Sequence, residues 1–359
     1  MTSRRKFRGR FLAAIGLASV MVLSACSGGT TSPSATDAGT SGASGSSSAS
    51  ATKPVIALSN SFIGNSWRKQ MVDAFTEVAT AAKGSGEISD YVVANADGTV
   101  EQQISQINGL ILKKVDVLLI DAASPTALNG VIKKAADAGI KVVTFDGTAT
   151  SPDSYNLNYD FKTFGAHMVK VIADGIGDKG NVLLVRGVAG TVIDQDMYDG
   201  SIAELANHPN LVNVGEVYGD WDDATAQSAV ARLLPTLPQV DGVIMDGGGY
   251  GVAQAFAAAN MPTPLIFFGN RGYELKWWAE QLAKGPYPSE SASTDPSIST
   301  AAFWLGVNLA NGAEVNRNLN MQFLTITPET LPDYADVPVD GVAAKTYDDA
   351  WVKENLLTQ

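Results

Sequence analysis

From Pro54 onward the chain alternates short apolar runs with amphipathic stretches, and few folds accommodate such a pattern. The runs fall at residues 55–59, 91–94, 115–120, 141–145, 182–185, 212–217, 240–245 and 265–268, and they are rich in Val, Ile, Leu and Phe. Runs of about five residues with no polar side suit parallel strands covered on both faces. Between them lie helical stripes. Trp67, Met71, Phe75, Val78 and Ala82 recur at steps of three and four, and Ile104, Ile107 and Ile111 form a second stripe. Pro125 suits the first turn of the next helix, and Gly139 suits its end. Strand and helix repeated in this way predict an α/β fold, a doubly wound parallel sheet with helices on both faces.

The alternation runs twice, with four strands up to residue 145 and four from 182 to 268. One sheet of that width with every crossover right-handed is less favourable than two smaller ones, so two lobes are expected, joined near residues 156–160. A further helix is expected at 297–311 and a strand at 321–326. Residues 328–359 are rich in Pro and Asp with little periodicity, and predict a tail packed across the surface.

The segment before Pro54 has a different character. Arg4, Arg5, Lys6, Arg8 and Arg10 form a basic head, residues 11–23 an apolar stretch, and Leu23-Ser24-Ala25-Cys26 closes it. This is the layout of an export signal, and the apolar run is shorter than the ~20 residues of a membrane span. The closing tetrapeptide resembles a bacterial lipobox, which implies acylation of Cys26 and cleavage before it, so that residues 1–26 are a lipoprotein signal peptide. Ser3-Arg4-Arg5-Lys6-Phe7 also resembles a twin-arginine export motif, with Arg8 as a departure. Of residues 27–52, 24 are Ser, Gly, Ala or Thr. Such a segment buries too little to order itself, and 27–53 is expected to be a disordered tether reaching roughly 25–30 Å as a coil.

Composition removes several functions. One Cys cannot form a disulfide within the chain, and one Cys with two His cannot make a four-ligand zinc centre. With 37 acidic and 25 basic residues the net charge is −12, the wrong sign for nucleic acid. No metal and no cofactor is expected. Asp246-Gly-Gly-Gly-Tyr-Gly251 lacks the G-x-G-x-x-G spacing of a dinucleotide turn and predicts a tight turn or close backbone approach. The acidic group at 220–223 predicts N-capping rather than a calcium loop.

Open parallel sheets bind ligands beyond the carboxyl ends of their strands. The polar groups expected there are Ser61, Asn65, Trp67 and Arg68 after the first strand, and Asp146 after the fourth. In the second set they are Arg186, Asp194 and Gln195, then Trp221, Asp246, Asn270 and Arg271. Carboxylates, amides and guanidinium forks match adjacent hydroxyls, and an indole covers the C–H face of a sugar ring. Taken singly, each Asp reads as a helix cap and Trp67 as core. Their concentration at the same ends of both sheets is what points to a site.

Four stretches resemble the ribose/galactose-type solute-binding proteins of ABC sugar importers: Ile56-Ala-Leu-Ser-Asn-Ser61-Phe-Ile-Gly-Asn65-Ser-Trp67-Arg68, Asp121-Ala-Ala-Ser-Pro125-Thr-Ala-Leu-Asn129, Ala138-Gly-Ile-Lys-Val-Val-Thr-Phe-Asp146 and Val240-Asp-Gly-Val-Ile-Met-Asp246. The resemblance implies the type I periplasmic binding fold, two doubly wound parallel-sheet lobes joined by a three-segment hinge. It divides the chain into an N-terminal lobe, 54–159 plus 296–322, and a C-terminal lobe with tail, 160–295 plus 323–359. It also implies ligand-binding roles. Ser61 and Asn65 take hydroxyls, and Trp67 stacks, with Arg68 standing where relatives carry a second aromatic. Asp146 closes the fourth strand. Gln195 replaces a ligand-binding Arg, with Asp194 as the substitute. Trp221 is the second lobe's aromatic, Asp246 ends its strand, and Arg271, beside Asn270, stands where many members have Asp. The displaced arginines depart from a ribose site and equally suit an acidic or phosphorylated sugar, or another small polar ligand.

The reading is therefore a monomeric binding protein, not an enzyme, on the outer face of the cell membrane. It is held by the lipid on Cys26 and hands a sugar-like ligand to an importer permease. Its rivals are a tethered glycan hydrolase using Asp146 and Asp246 as acid and base, and a sensory module that hands its closed form to a receptor.

Overall fold

The computed structural model describes residues 53–359. The signal segment, Cys26 and most of the tether lie outside the described residues.

The first lobe runs β1 (Val55–Asn60), α1 (Ser66–Ser85), β2 (Asp90–Asn95), α2 (Val100–Leu112), β3 (Val117–Asp121), α3 (Asn129–Asp137), β4 (Lys141–Phe145) and β5 (Tyr155–Asn158). The second runs α4 (Phe161–Ile176), β6 (Gly180–Arg186), α5 (Val192–Leu205), β7 (Leu211–Tyr218), α6 (Asp223–Leu233), β8 (Gly242–Met245), α7 (Gly249–Ala258), β9 (Leu265–Ile266) and α8 (Gly272–Leu282). The chain then passes through β10 (Ser291–Ser293), α9 (Ile298–Ala310), β11 (Asn318–Asn320), β12 (Leu324–Ile326) and α10 (Asp349–Asn355).

Two parallel sheets result. The first has six strands in the order β11-β5-β4-β3-β1-β2, and the second has four in the order β7-β6-β8-β9. The buried stripe of α1, with Trp67, Met71, Phe75 and Ala82 enclosed, packs with α9 on one face of the first sheet. Ile107, Leu110, Val131 and Ile132 of α2 and α3 cover the other. Gly86 ends α1 at φ 78°, and Gly139 follows α3 at φ 85°. Both are left-handed positions that side chains resist.

Several expectations change. Pro125 does not open a helix: its carbonyl accepts from Thr150 N–H, and α3 starts at Asn129. The run at 212–217 is an edge strand with exposed side chains rather than a doubly covered one. Of the expected strand at 321–326 only 324–326 is strand, pairing antiparallel with β10, whereas 318–320, before the expected start, extends the first sheet beside β5. Phe323, in the break, stacks on Phe164 of α4 at 4.1 Å and 11° and lies 4.8 Å from Tyr159. The tail is ordered into the body. Val342, Ala343, Tyr347, Val352 and Leu356 are buried, and α10 packs on α9 of the first lobe.

The chain thus passes between the sheets after β5, between β10 and α9, and between β11 and β12. Phe323 of the passage between β11 and β12 packs against Tyr159 and Phe161 of the passage after β5, a contact between two of the three crossings.

Candidate functional site

On the first lobe, the ends of β1, β3 and β4 converge on Arg68. Asn65 caps α1 by accepting from Arg68 N–H at 2.8 Å, which sets the first turn so that the Arg68 side chain reaches back over the strand ends. Its guanidinium pairs with Asp121 and lies 3.7 Å from Asp146. The Phe62 and Trp67 rings each sit 5.2 Å from it. Burial holds the Arg68 pKa below the usual arginine value, against the pull of Asp146. Burial likewise pushes the Asp146 carboxyl up, opposed by Arg68 and the Thr294 hydroxyl. Asp146 adopts φ 55°, a left-handed conformation uncommon outside glycine. Its Oδ1 is buried without a hydrogen-bond partner.

On the second lobe, Arg186 ends β6 and is gripped by Asp194, at 2.7 Å to Nη2 and 3.3 Å to Nε. Asp194 also accepts from Gly187 N–H at 2.9 Å. The guanidinium lies 3.9 Å from the Tyr198 ring centre and 4.8 Å from that of Tyr218. The Trp221 indole lies directly on Gly187, where a side chain would overlap it. Arg186, Gly187, Asp194, Trp221 and Asp246 line one cavity of about 30 Å³, room for about one water.

Asp246 ends β8. Its pKa is pushed up to about 7, chiefly by burial; Arg271 and the Ser293 hydroxyl oppose the rise, while Glu274 and the Asp146 carboxylate add to it. Its Oδ1 has no partner either. Arg271 donates from Nη2 to the Trp221 carbonyl at 2.9 Å and from Nη1 to the Ser66 hydroxyl of the first lobe at 3.4 Å. Beneath these groups Glu274 accepts four backbone N–H bonds, from Gly248, Gly249, Gly269 and Arg271. One carboxylate thereby holds the turn after β8 and the turn before α8 together. Burial raises its pKa to about 7.

Of the residues expected from the sequence, Arg68, Asp146, Trp221, Asp246 and Arg271 come together at facing strand ends. The others are placed differently. Asn270, expected to meet ligand, is fully enclosed. Its Oδ1 accepts from the Ser291 hydroxyl and its Nδ2 donates to the Leu324 carbonyl, so it ties the turn to β10 and β12. Gln195 is exposed on α5 and donates to Asp199. Asp194 is used on Arg186. Trp67 is buried and donates from its indole to the Thr294 carbonyl at 3.0 Å, a cross-link to the passage between β10 and α9. Asn65 is a helix cap, and Ser61 is buried at the end of β1. Three residues escaped the sequence reading as site members. Asp121 ends β3 as Asp146 follows β4, a signal that was present. Arg186 ends β6, among the strand-end polar groups of the sequence but without a ligand-binding role implied by the resemblance. Glu274 stands three residues into α8, the capping-box position.

The Periplasmic binding protein domain model matches residues 56–314. A xylitol-binding protein of Mycolicibacterium smegmatis is 26% identical over 260 residues, covering 71% of this chain and 72% of that protein. The D-xylose-binding periplasmic protein of Escherichia coli is 24% identical over 277 residues, covering 74% and 82%. Among solved structures, an ABC transporter solute-binding protein from Thermobispora bispora superposes with TM-score 0.79 at 39% identity, over 85% of this chain and 95% of that one. A family match over that span, on a chain whose two parallel sheets bring their strand ends face to face, makes this protein a member of the periplasmic binding protein family.

Proposed function

We propose that the protein is an extracytoplasmic solute-binding protein that captures a sugar-like ligand between its two lobes and delivers it to an ABC importer. Asp146 and Asp246 carry this reading. They stand at the ends of strands in opposite sheets, and each keeps one buried carboxylate oxygen without a partner. Each has an arginine beside it, Arg68 and Arg271. Unpaired buried acceptors are costly, so they call for hydroxyl donors from outside the chain. The relatives' named ligands, xylitol and D-xylose, are compounds of that kind. Trp221 supplies the flat surface for a ring. The three passages between the sheets act as the hinge, and binding favours the closed form. Cys26 carries the lipid that keeps the protein at the outer face of the membrane. The relatives are binding proteins, which supports a role without chemistry.

The test is a thermal-shift panel of pentoses, hexoses, polyols, sugar acids and sugar phosphates, followed by calorimetry. A true ligand at 100 times its dissociation constant stabilises the native state by ~2.7 kcal/mol. Asp146→Ala should abolish binding and leave the protein folded. Unchanged affinity in that variant would overturn the assignment, and release of sugar from a glycan would favour the hydrolase instead.

A further inference from the structure

The tail adds a fourth link between the lobes. Residues 339–343 lie against the start of α8: Gly272 N–H donates to Gly341, Tyr273 N–H to Val339 and Ala343 N–H to Asn270, at 2.8–3.0 Å. Val342 bridges Arg271 directly. Further on, Lys345 N–H and the Tyr347 hydroxyl donate to Asp295 in the passage before α9. Asn308 of α9 then bonds Asp349 of α10, and Gln359 bonds Asn320 at the end of β11. The tail therefore starts on the second lobe and finishes on the first.

At its middle stands Gln70, on α1 two residues beyond Arg68. Its Nε2 donates to the Val342 carbonyl at 2.8 Å, and its Oε1 accepts from Val342 N–H at 3.0 Å. The amide thus reproduces a strand partner's two bonds on Val342, a residue that is 3% exposed. Three backbone bonds fasten the 339–343 stretch to the second lobe, against two to Gln70. Opening the lobes would part the Gln70 contact first.

We propose that Gln70 is a latch that grips the backbone of Val342 when the lobes close and so sets how long a captured ligand stays. It is a positioning residue, since it touches neither Asp146 nor Asp246, and the proposal rests on the ligand-capturing role argued above. The latch joins the helix that carries Arg68 to the stretch that flanks Arg271, beside the direct bond from Arg271 to Ser66 of the same helix.

The test compares the full chain with its Gln70→Ala and Gln70→Glu variants, using xylitol as probe and small-angle scattering of the ligand-free protein. Gln70→Ala should enlarge the ligand-free radius of gyration and release xylitol about tenfold faster, with the association rate unchanged. Gln70→Glu keeps the acceptor for Val342 N–H but sets a carboxylate oxygen against the Val342 carbonyl, so its release should be at least as fast as that of Gln70→Ala. A Gln70→Ala protein that matches wild type in both scattering and release overturns the latch. So does one that only melts earlier, because that is a structural role. If wild type binds no xylitol, the scattering difference still decides the latch, while the panel of other polyols and sugars decides the function.

Discussion

Arg271 of the second lobe reaches the Ser66 hydroxyl of the first, at 3.4 Å, while its other terminal nitrogen donates to the Trp221 carbonyl at 2.9 Å. One guanidinium therefore touches both sides of the gap, and its Nε is left buried and unpartnered. A lysine ammonium at this position lacks the planar fork and cannot serve three directions at once. Arg271→Lys should weaken ligand binding ten- to a hundredfold, the range of one or two charged hydrogen bonds. The backbone bond from Arg271 N–H to Glu274 does not involve the side chain, so the unfolding temperature should move little. Calorimetry and a melting curve on the same sample check both statements.

Gly187 tests whether Trp221 is a ligand platform. A methyl at Gly187 would overlap the indole of Trp221 at Cε2, Cζ2 and Nε1. Gly187→Ala should displace Trp221 from the cavity wall. Overpacking of this sort costs roughly 1–3 kcal/mol, and affinity should fall with it, accompanied by a shift in tryptophan emission. Gly187→Ala combined with Trp221→Ala should recover the stability and not the affinity. Recovery of both would mean that the indole does not meet the ligand.

Much of this site is written in local sequence, because a polar residue following an apolar run marks a strand end wherever the strand lies. Asp146 and Asp246 were legible for that reason. Asn270 carries the same mark and has another use. It bonds Ser291 and Leu324, partners 21 and 54 residues away, and no local pattern says that those strands pass beside it. The break at Phe323 is of the same kind. The run from Met321 to Ile326 reads as one strand, yet Phe323 is drawn out of it by the rings of Phe164 and Tyr159. By the resemblance Gln195 stands at an arginine's position, whereas in this chain the guanidinium beside α5 is that of Arg186, at the end of β6, with Asp194 of α5 holding it. Alternation gives the layers and the strand ends. Which side chains look across the gap depends on the passages between the sheets, and those are set by tertiary packing.

Asp246 makes the fold itself sensitive to pH. Burial, with Glu274 and Asp146 nearby, raises its pKa from 3.8 to about 7 in the folded protein, against the attraction of Arg271. Between those two values the native state holds a proton on Asp246 that the unfolded chain has released. Stability contributed by this group therefore falls as pH rises through that window, and levels off above about pH 7. The full span corresponds to at most about 4 kcal/mol at 1.36 kcal/mol for each pKa unit. Asp246→Asn removes the charge and keeps the shape, so its unfolding temperature should depend less on pH between about 4.5 and 8 than that of wild type. At pH 8 the variant should be the more stable of the two, and near pH 4.5 the curves should converge. Glu274, whose pKa is also raised to about 7, keeps a residual slope of the same sign in both proteins, which makes the difference between them the quantity to measure. If melting curves of Asp246→Asn and wild type run parallel across that range, the carboxylate is already ionised in the folded protein, and the buried, unpartnered oxygen assigned to it must be solvated.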